Sequence, residues 1–269
     1  MGQTISFKRP DGQSVQGYLA EPAGGSGPGV VVIQEWWGLN AQIKGVADRM
    51  AAAGYRALVP DLYRGKVTVE AKEAEHLMTN LNFGDAAGQD VRGGVQHLKG
   101  QSRKVGVTGF CLGGALTLLA AVNVPEADAA VVWYGFPPLE FVDATKIKAP
   151  LLGHYAIEDV PFPIATVDLL EQKLRAANVR FEFHRYQAKH AFANETLVGE
   201  RKLPMAEYHA PSADLAGGGR STSSTGTSSE PHQALSRADR LHALRAGQPA
   251  RRPASPVRRA TGSTRERRA

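Results

Sequence analysis

The stretch Val105-Gly-Val-Thr-Gly-Phe-Cys-Leu-Gly-Gly114, running on into Ala-Leu-Thr-Leu-Leu-Ala-Ala121, restricts the chain to few folds. An apolar, strand-like run ends at Gly109, Cys111 and Gly113 follow at alternate positions, and a helix-forming segment begins at once. Gly-x-nucleophile-x-Gly between a strand and a helix is the pattern of a nucleophile elbow, here with Cys where Ser is commoner. The two glycines are needed because the turn is tight and the strand and helix beside it pass close to its backbone. A thiol at the first turn of a helix also sits in the positive end of the helix dipole, which favours the reactive thiolate. A buried core cysteine beside a glycine-rich turn would show the same local pattern, so the decision falls to the rest of the chain.

Apolar runs and amphipathic stretches alternate along it. Residues 3–8 and 14–20 read as two strands of a hairpin around Asp11-Gly12. Val30–Gln34 reads as a buried strand, and Glu35–Asn40 as a loop in which Asn40 caps a helix with Ile43, Val46, Ala47 and Met50 on one face. Gly54 closes that helix, and residues 56–60 form the next strand. Helices are expected over about 69–80, 85–99 and 163–177, and strands over 104–108, 129–134, 149–155 and 179–186. Strands alternating with helices call for an α/β fold, a mainly parallel sheet with helices on both faces.

In such sheets chemistry collects at the carboxyl ends of the strands. Glu35, Asp61, Cys111, Asp159 and His190 all lie just past an expected strand end, so residues far apart in sequence converge on one rim. The order Cys111, Asp159, His190 is the nucleophile–acid–histidine order of α/β-hydrolases. Each type meets a chemical need. A thiolate attacks an acyl carbon, an imidazole shuttles the proton, and a carboxylate fixes the imidazole tautomer and steadies its charge. The oxyanion formed on attack needs two donors, for which the backbone N–H groups of Leu112 and Trp36 are placed.

Rivals exist for two of these roles. His154 lies inside an apolar strand, whereas His190 is in a loop, where functional side chains concentrate. Glu158 competes with Asp159, whose shorter side chain suits a turn before Pro161. Asp61 follows Pro60 and reads as a turn or cap device. Trp36 and Trp37 read as pocket wall or core rather than cofactor contacts.

Together Gln34-Glu-Trp-Trp-Gly-Leu-Asn40, Gly54-Tyr-Arg-Ala-Leu-Val-Pro-Asp-Leu-Tyr63, Gly109-Phe-Cys-Leu-Gly-Gly114, Trp133-Tyr-Gly135 and His190-Ala-Phe192 resemble the dienelactone hydrolase (carboxymethylenebutenolidase) family of the α/β-hydrolase superfamily. The likeness runs from residue 3 to about 215, and its motifs are specific as a set rather than singly. It implies one α/β-hydrolase domain over 1–216 and hydrolysis of enol-lactones or related carboxylic esters by a Cys-His-Asp triad through an acyl-enzyme thioester. It also implies that Glu35 gates the thiol, keeping it protonated until substrate displaces the contact, which would shield it from oxidation. Trp37, Tyr134, Phe192 and Asn194 are expected in the substrate pocket. Members acting on dienelactone carry Arg at the position of Asn194, paired with the substrate carboxylate, and Asn cannot form that bidentate pair. A second substrate-binding Arg, expected near 75–82, is absent from Glu75-His-Leu-Met-Thr-Asn-Leu-Asn82. The eponymous substrate is therefore not expected.

Composition limits the partners. Cys111 is the only cysteine in 269 residues, which excludes an internal disulfide and a Cys-rich metal site. A hydrophobic content of 42% is enough for a real core. No apolar signal region opens the chain, and no apolar run approaches the roughly 18 residues that span a bilayer. A cytoplasmic monomer or weak dimer is expected, acting on a small molecule, with no cofactor, metal or membrane partner. The alternative is a thiol-based redox sensor, or a non-catalytic binding module, on the same fold.

The net charge of +6 is unevenly placed. Residues 217–269 hold eleven Arg against three acids, a surplus of eight, which leaves the body mildly acidic. This segment opens Gly-Gly-Gly-Arg-Ser-Thr-Ser-Ser-Thr-Gly-Thr-Ser-Ser229, a low-complexity composition expected to be disordered. A basic arm binding nucleic acid through phosphates is the lesser reading. Moved back by one base, codons for these residues can read Trp-Arg-Arg-Thr-Leu-Asp-Phe-Phe-Asp-Arg-His-Leu, whose apolar positions share one helical face. Members of the family end in such a helix, so the tail is expected to derive from a single-base loss after Ala216. An intact in-frame tail in independent isolates would remove that expectation.

Overall fold

The central strands are continuous apolar runs. β3 (Gly29–Ile33) and β4 (Arg56–Pro60) are buried at every position, as strands covered on both faces must be. In the computed structural model, which describes residues 1–217, these two lie in an eight-stranded sheet of order β1-β2-β4-β3-β5-β6-β7-β8. The other strands are β1 (Gln3–Lys8), β2 (Ser14–Ala20), β5 (Val105–Phe110), β6 (Ala129–Trp133), β7 (Leu151–Ala156) and β8 (Phe181–Tyr186). The β1–β2 hairpin and the β2–β4 pair are antiparallel, and the remaining pairs are parallel.

Helices cover both faces. On one side α1 (Ala41–Ala52) buries Ile43, Val46, Ala47 and Ala51, with Met50 half-buried at the edge. Its N-cap is Asn40, whose side chain accepts from the Ile43 N–H at 3.1 Å. On the other side lie α4 (Arg92–Lys99), α5 (Leu112–Asn123) and α6 (Ile164–Ala176). From Leu112 to Val122 α5 is buried all round, as a helix without a polar face must be.

The helical region 83–99 departs from a plain α-helix. A short α3 (Phe83–Asp85), after α2 (Ala71–Thr79), leads into a π-helical turn at Ala86–Val91 before α4. The turn carries Asp90, almost fully buried, whose carboxylate accepts from Arg64 at 2.9 Å and from Arg9 at 3.2 Å. The loop after β4 is thereby pinned to the helical layer. A last short helix, α7 (Ala210–Ala216), was not evident in the sequence pattern and ends at Gly217 in the left-handed region (φ 81°). The expected basic tail lies, beyond Gly217, outside the described residues.

Candidate active site

The elbow is built as the glycine spacing requires. Cys111 sits between β5 and α5 at φ 56° and ψ −115°, a conformation that side chains rarely adopt. Its N–H donates to the Trp133 carbonyl at 3.0 Å and its carbonyl accepts from Ala115 at 3.1 Å, so backbone on both sides holds the turn. A Cβ on Gly113 would lie 2.5 Å from the Ile33 carbonyl oxygen and 2.6 Å from that of Gln34. The first turn of α5 therefore rests directly on the end of β3, which brings the Glu35 loop beside the nucleophile. Leu112 is the first residue of α5, where a helix leaves its N–H groups without intrahelical partners.

Cys111 is one of three site residues with positive φ that are not glycine. The others are Tyr134 (37°), just past β6, and Ala191 (56°), just past His190. Such conformations cost of order 1–3 kcal/mol each and persist only where the surroundings over-determine them.

His190 and Asp159 meet as expected. The His190 Nδ1 lies 2.7 Å from Asp159 Oδ2, and Asp159 Oδ1 accepts from the Phe162 N–H at 2.8 Å. Both side chains are buried. The imidazole is held between two rings, Phe162 stacked at 5.5 Å and Tyr134 edge-on at 5.2 Å. With Nδ1 on the carboxylate, Nε2 is the ring nitrogen open to a thiol, and the charge of Cys111 acts on the imidazole. Burial alone would lower the imidazole pKa. Cys111, followed by the Asp159 hydrogen bond and charge, outweighs it and holds His190 at about 10. The loop carrying His190 is itself fastened, since Glu207 donates to the His190 carbonyl at 3.2 Å and His209 to that of Phe192 at 3.0 Å.

The rivals are elsewhere. His154 pairs in register with Trp133 and His184 and stacks on both, at 4.3 and 5.7 Å. Its Nδ1 meets the Tyr186 hydroxyl at 2.8 Å, and burial, with His184, depresses its pKa to about 3. It is a neutral core histidine. Glu158 is exposed and bonded to Gln187. Asp61 accepts from the N–H groups of Tyr63 and Gly65, at 3.2 and 2.6 Å, the turn device anticipated.

Asn194 does not offer its amide to a pocket, because its Nδ2 donates to Glu35 Oε2 and its Oδ1 accepts from the N–H and hydroxyl of Thr196 at 3.1 and 2.7 Å. Trp37 is buried in the core with Ile43 and Phe192, and Trp36 is the half-exposed partner of the pair. Glu35 is buried, with Oε1 accepting from the Tyr134 hydroxyl at 3.1 Å. Burial pushes its carboxyl above the usual range, and His190, Asn194 and Tyr134 only partly offset this. Burial also raises the Tyr134 phenol, aided by the charges of Glu35 and Cys111.

The sequence reading missed Phe162 and Gly135. A Cβ on Gly135 would lie 2.0 Å from the Cys111 carbonyl oxygen, so the turn after β6 is part of the elbow's mould. The glycine in Trp133-Tyr-Gly135 was a signal of close approach, whereas nothing in Pro161-Phe-Pro163 pointed to a stacking role.

The sequence profile of the dienelactone hydrolase family matches residues 15–216. Protein usf of Aquifex pyrophilus is 38% identical over 206 residues, covering 72% of this chain and 88% of that protein. A provisionally named carboxymethylenebutenolidase of Aquifex aeolicus (strain VF5) is 36% identical over 169 residues, covering 59% and 72%. Among solved structures, a provisionally named dienelactone hydrolase from Klebsiella pneumoniae subsp. pneumoniae MGH 78578 superposes with a TM-score of 0.69 at 26% identity, covering 92% of this chain and 100% of that one.

Proposed function

The chain belongs to the dienelactone hydrolase family, hydrolases of the carboxymethylenebutenolidase type, and we propose that it cleaves a carboxylic ester or lactone through Cys111, His190 and Asp159. The Asp159–His190 hydrogen bond of 2.7 Å, beside the elbow that carries Cys111, supports this reading. His190 takes the thiol proton on Nε2, and the sulfur attacks the acyl carbon while the carbonyl electrons move onto oxygen. The resulting oxyanion is received by the N–H groups of Leu112 and Trp36. On collapse the C–O bond breaks, and the imidazolium returns its proton to the leaving alkoxide. Water activated by the same imidazole then hydrolyses the thioester. Asp159 stays ionised throughout and holds the imidazole in the tautomer the cycle needs.

The site favours an acyl group without its own carboxylate. Asn194 supplies no positive charge to pair with a substrate carboxylate, and Arg49 is already tied to Glu195 at 3.0 Å. Neutral aryl esters and simple lactones are the substrates to try. We further propose a cytoplasmic protein acting as a monomer or weak dimer, with the hydrolase domain ending at Ala216 and a separate basic tail after it. Among the described residues no helix is long and apolar enough to cross a membrane.

The test is turnover of p-nitrophenyl acetate. The native chain should show a steady rate above background, and Cys111→Ala and His190→Ala should each lower kcat by about 10³-fold or more. Native-like rates in both variants would defeat the proposal.

A further inference from the structure

We propose that β8, the strand at the edge of the sheet, pairs with the β8 of a second copy of this chain, antiparallel about a two-fold axis through Phe183. The inference stands apart from the chemistry at Cys111, and it names the surface of the weak dimer proposed above.

Hydrogen-bond direction carries the argument. β8 closes the sheet, and among the described residues no strand pairs with its outer side. Its inner side is taken by β7, in register from Leu151↔Phe181 to Ala156↔Tyr186. The Leu151 and Ile157 N–H groups donate to the Arg180 and Tyr186 carbonyls at 3.0 and 2.9 Å. In a parallel pair alternate residues turn both backbone groups to the neighbour, so Glu182, His184 and Tyr186 face β7. Phe181, Phe183 and Arg185 therefore point their N–H and C=O groups outward. An edge of this kind is a template for another strand. A groove of about 450 Å³ runs along it, lined by Phe181, Glu182, Phe183 and Arg185 with Glu171 and Arg175 of α6, so the edge lies open.

The sequence of this edge is complementary to itself. An axis through Phe183 sets Phe183 against Phe183 of the second copy and Phe181 against its Arg185. In this antiparallel register alone, all three outward-facing residues of β8 meet outward-facing residues, which closes about six hydrogen bonds. On the other face Glu182 lies opposite His184 of the second copy, and the axis repeats the pair. A slip of two residues either way would set Glu182 on Glu182 or His184 on His184. The charges that blunt many edges are here met within each chain. Arg185 is held by Asp168 and Glu171 at 2.6 and 2.9 Å, and Glu182 by His184 at 2.9 Å. Phe181 and Phe183 are half-buried against the core under α6, and a second copy completes their cover.

Sedimentation of the full chain reads the association, with a thiol reductant present so that Cys111 cannot cross-link copies. Raising the concentration from about 1 μM to about 500 μM, the range in which small interfaces assemble, should move the mass from the 28.8 kDa of one chain to twice that value. His184→Glu opposes two carboxylates, and symmetry repeats the clash, so association should weaken by about tenfold or more. Adding Glu182→Lys to it restores opposite charges at both places and should recover the dimer. Phe181→Pro, at the first residue of the strand, removes an outward N–H that β7 does not use and should also weaken pairing. Thermal denaturation of each variant checks that the single chain still folds. The proposal is overturned if the native chain stays a monomer over that range, if His184→Glu associates as the native chain does, or if the double variant of unchanged fold fails to recover the dimer.

Discussion

The same substitution, glycine to alanine, should have opposite effects at two helical positions. Gly45 lies inside α1, and the nearest atom to an added Cβ is the Arg49 Nη1 at 3.6 Å, an ordinary van der Waals separation. The methyl meets ordinary contact, and the helix gains about 1 kcal/mol from the lost backbone freedom of the unfolded chain. For a domain of this size that raises Tm by roughly 2–4 °C. Gly113 lies in the first turn of α5 and has the same propensity to gain. Its added Cβ, however, falls 2.5 Å and 2.6 Å from two carbonyl oxygens of the central strand, where no side chain can swing aside. Backbone must move, at a cost of about 1–3 kcal/mol. The net change at Gly113 is therefore a loss of up to about 2 kcal/mol once the propensity gain of about 1 kcal/mol is set against it. The larger effect falls on activity. The displaced backbone carries Cys111 and the Leu112 N–H, and losing one oxyanion donor alone costs about 10²–10³ in kcat. Thermal denaturation and p-nitrophenyl acetate turnover, measured together on both variants, give the answer. A Gly113→Ala protein as stable as the native one, with turnover within about twofold, would refute the claim that the elbow rests on β3.

Three further outcomes follow from the same geometry. Asp159→Asn should lower kcat by about 10⁴-fold by losing the imidazole tautomer, while Glu158→Gln, at an exposed side chain bonded to Gln187, should leave kcat near native; equal losses would remove Asp159 from its role. His154 is neutral in the fold, with its pKa depressed from 6.5 to about 3, so the unfolded chain binds an extra proton between those values. Stability from this residue is complete above pH 6.5 and declines as pH falls toward 3, by up to about 1.4 kcal/mol per unit; urea titrations should show a flatter acid limb in His154→Phe, and an unchanged slope would count against the buried neutral state. Tyr63→Phe removes a buried hydroxyl with no hydrogen-bond partner and should stabilise the chain by about 1 kcal/mol in chemical denaturation, whereas a loss would mean that the hydroxyl is satisfied.

The sequence carried the fold, and pointed to Asp159 and His190 as partners, because both readings rest on local patterns. The runs at Val30–Ile33 and Val105–Phe110, and the glycines about Cys111, each constrain backbone within a few residues, and the parallel sheet then brings their carboxyl ends to one rim. Chain order favoured His190 over His154, and in the structure His154 lies buried within β7 while His190 meets Asp159. What the sequence did not show depends on which side chain wins a contested partner. Glu35, Tyr134 and Asn194 stand within one buried hydrogen-bonded cluster, and a sequence reading pairs them only by analogy. The structure resolves the competition through a residue outside the motif, because Thr196 occupies both acceptor positions of the Asn194 oxygen and so forces its NH₂ onto Glu35.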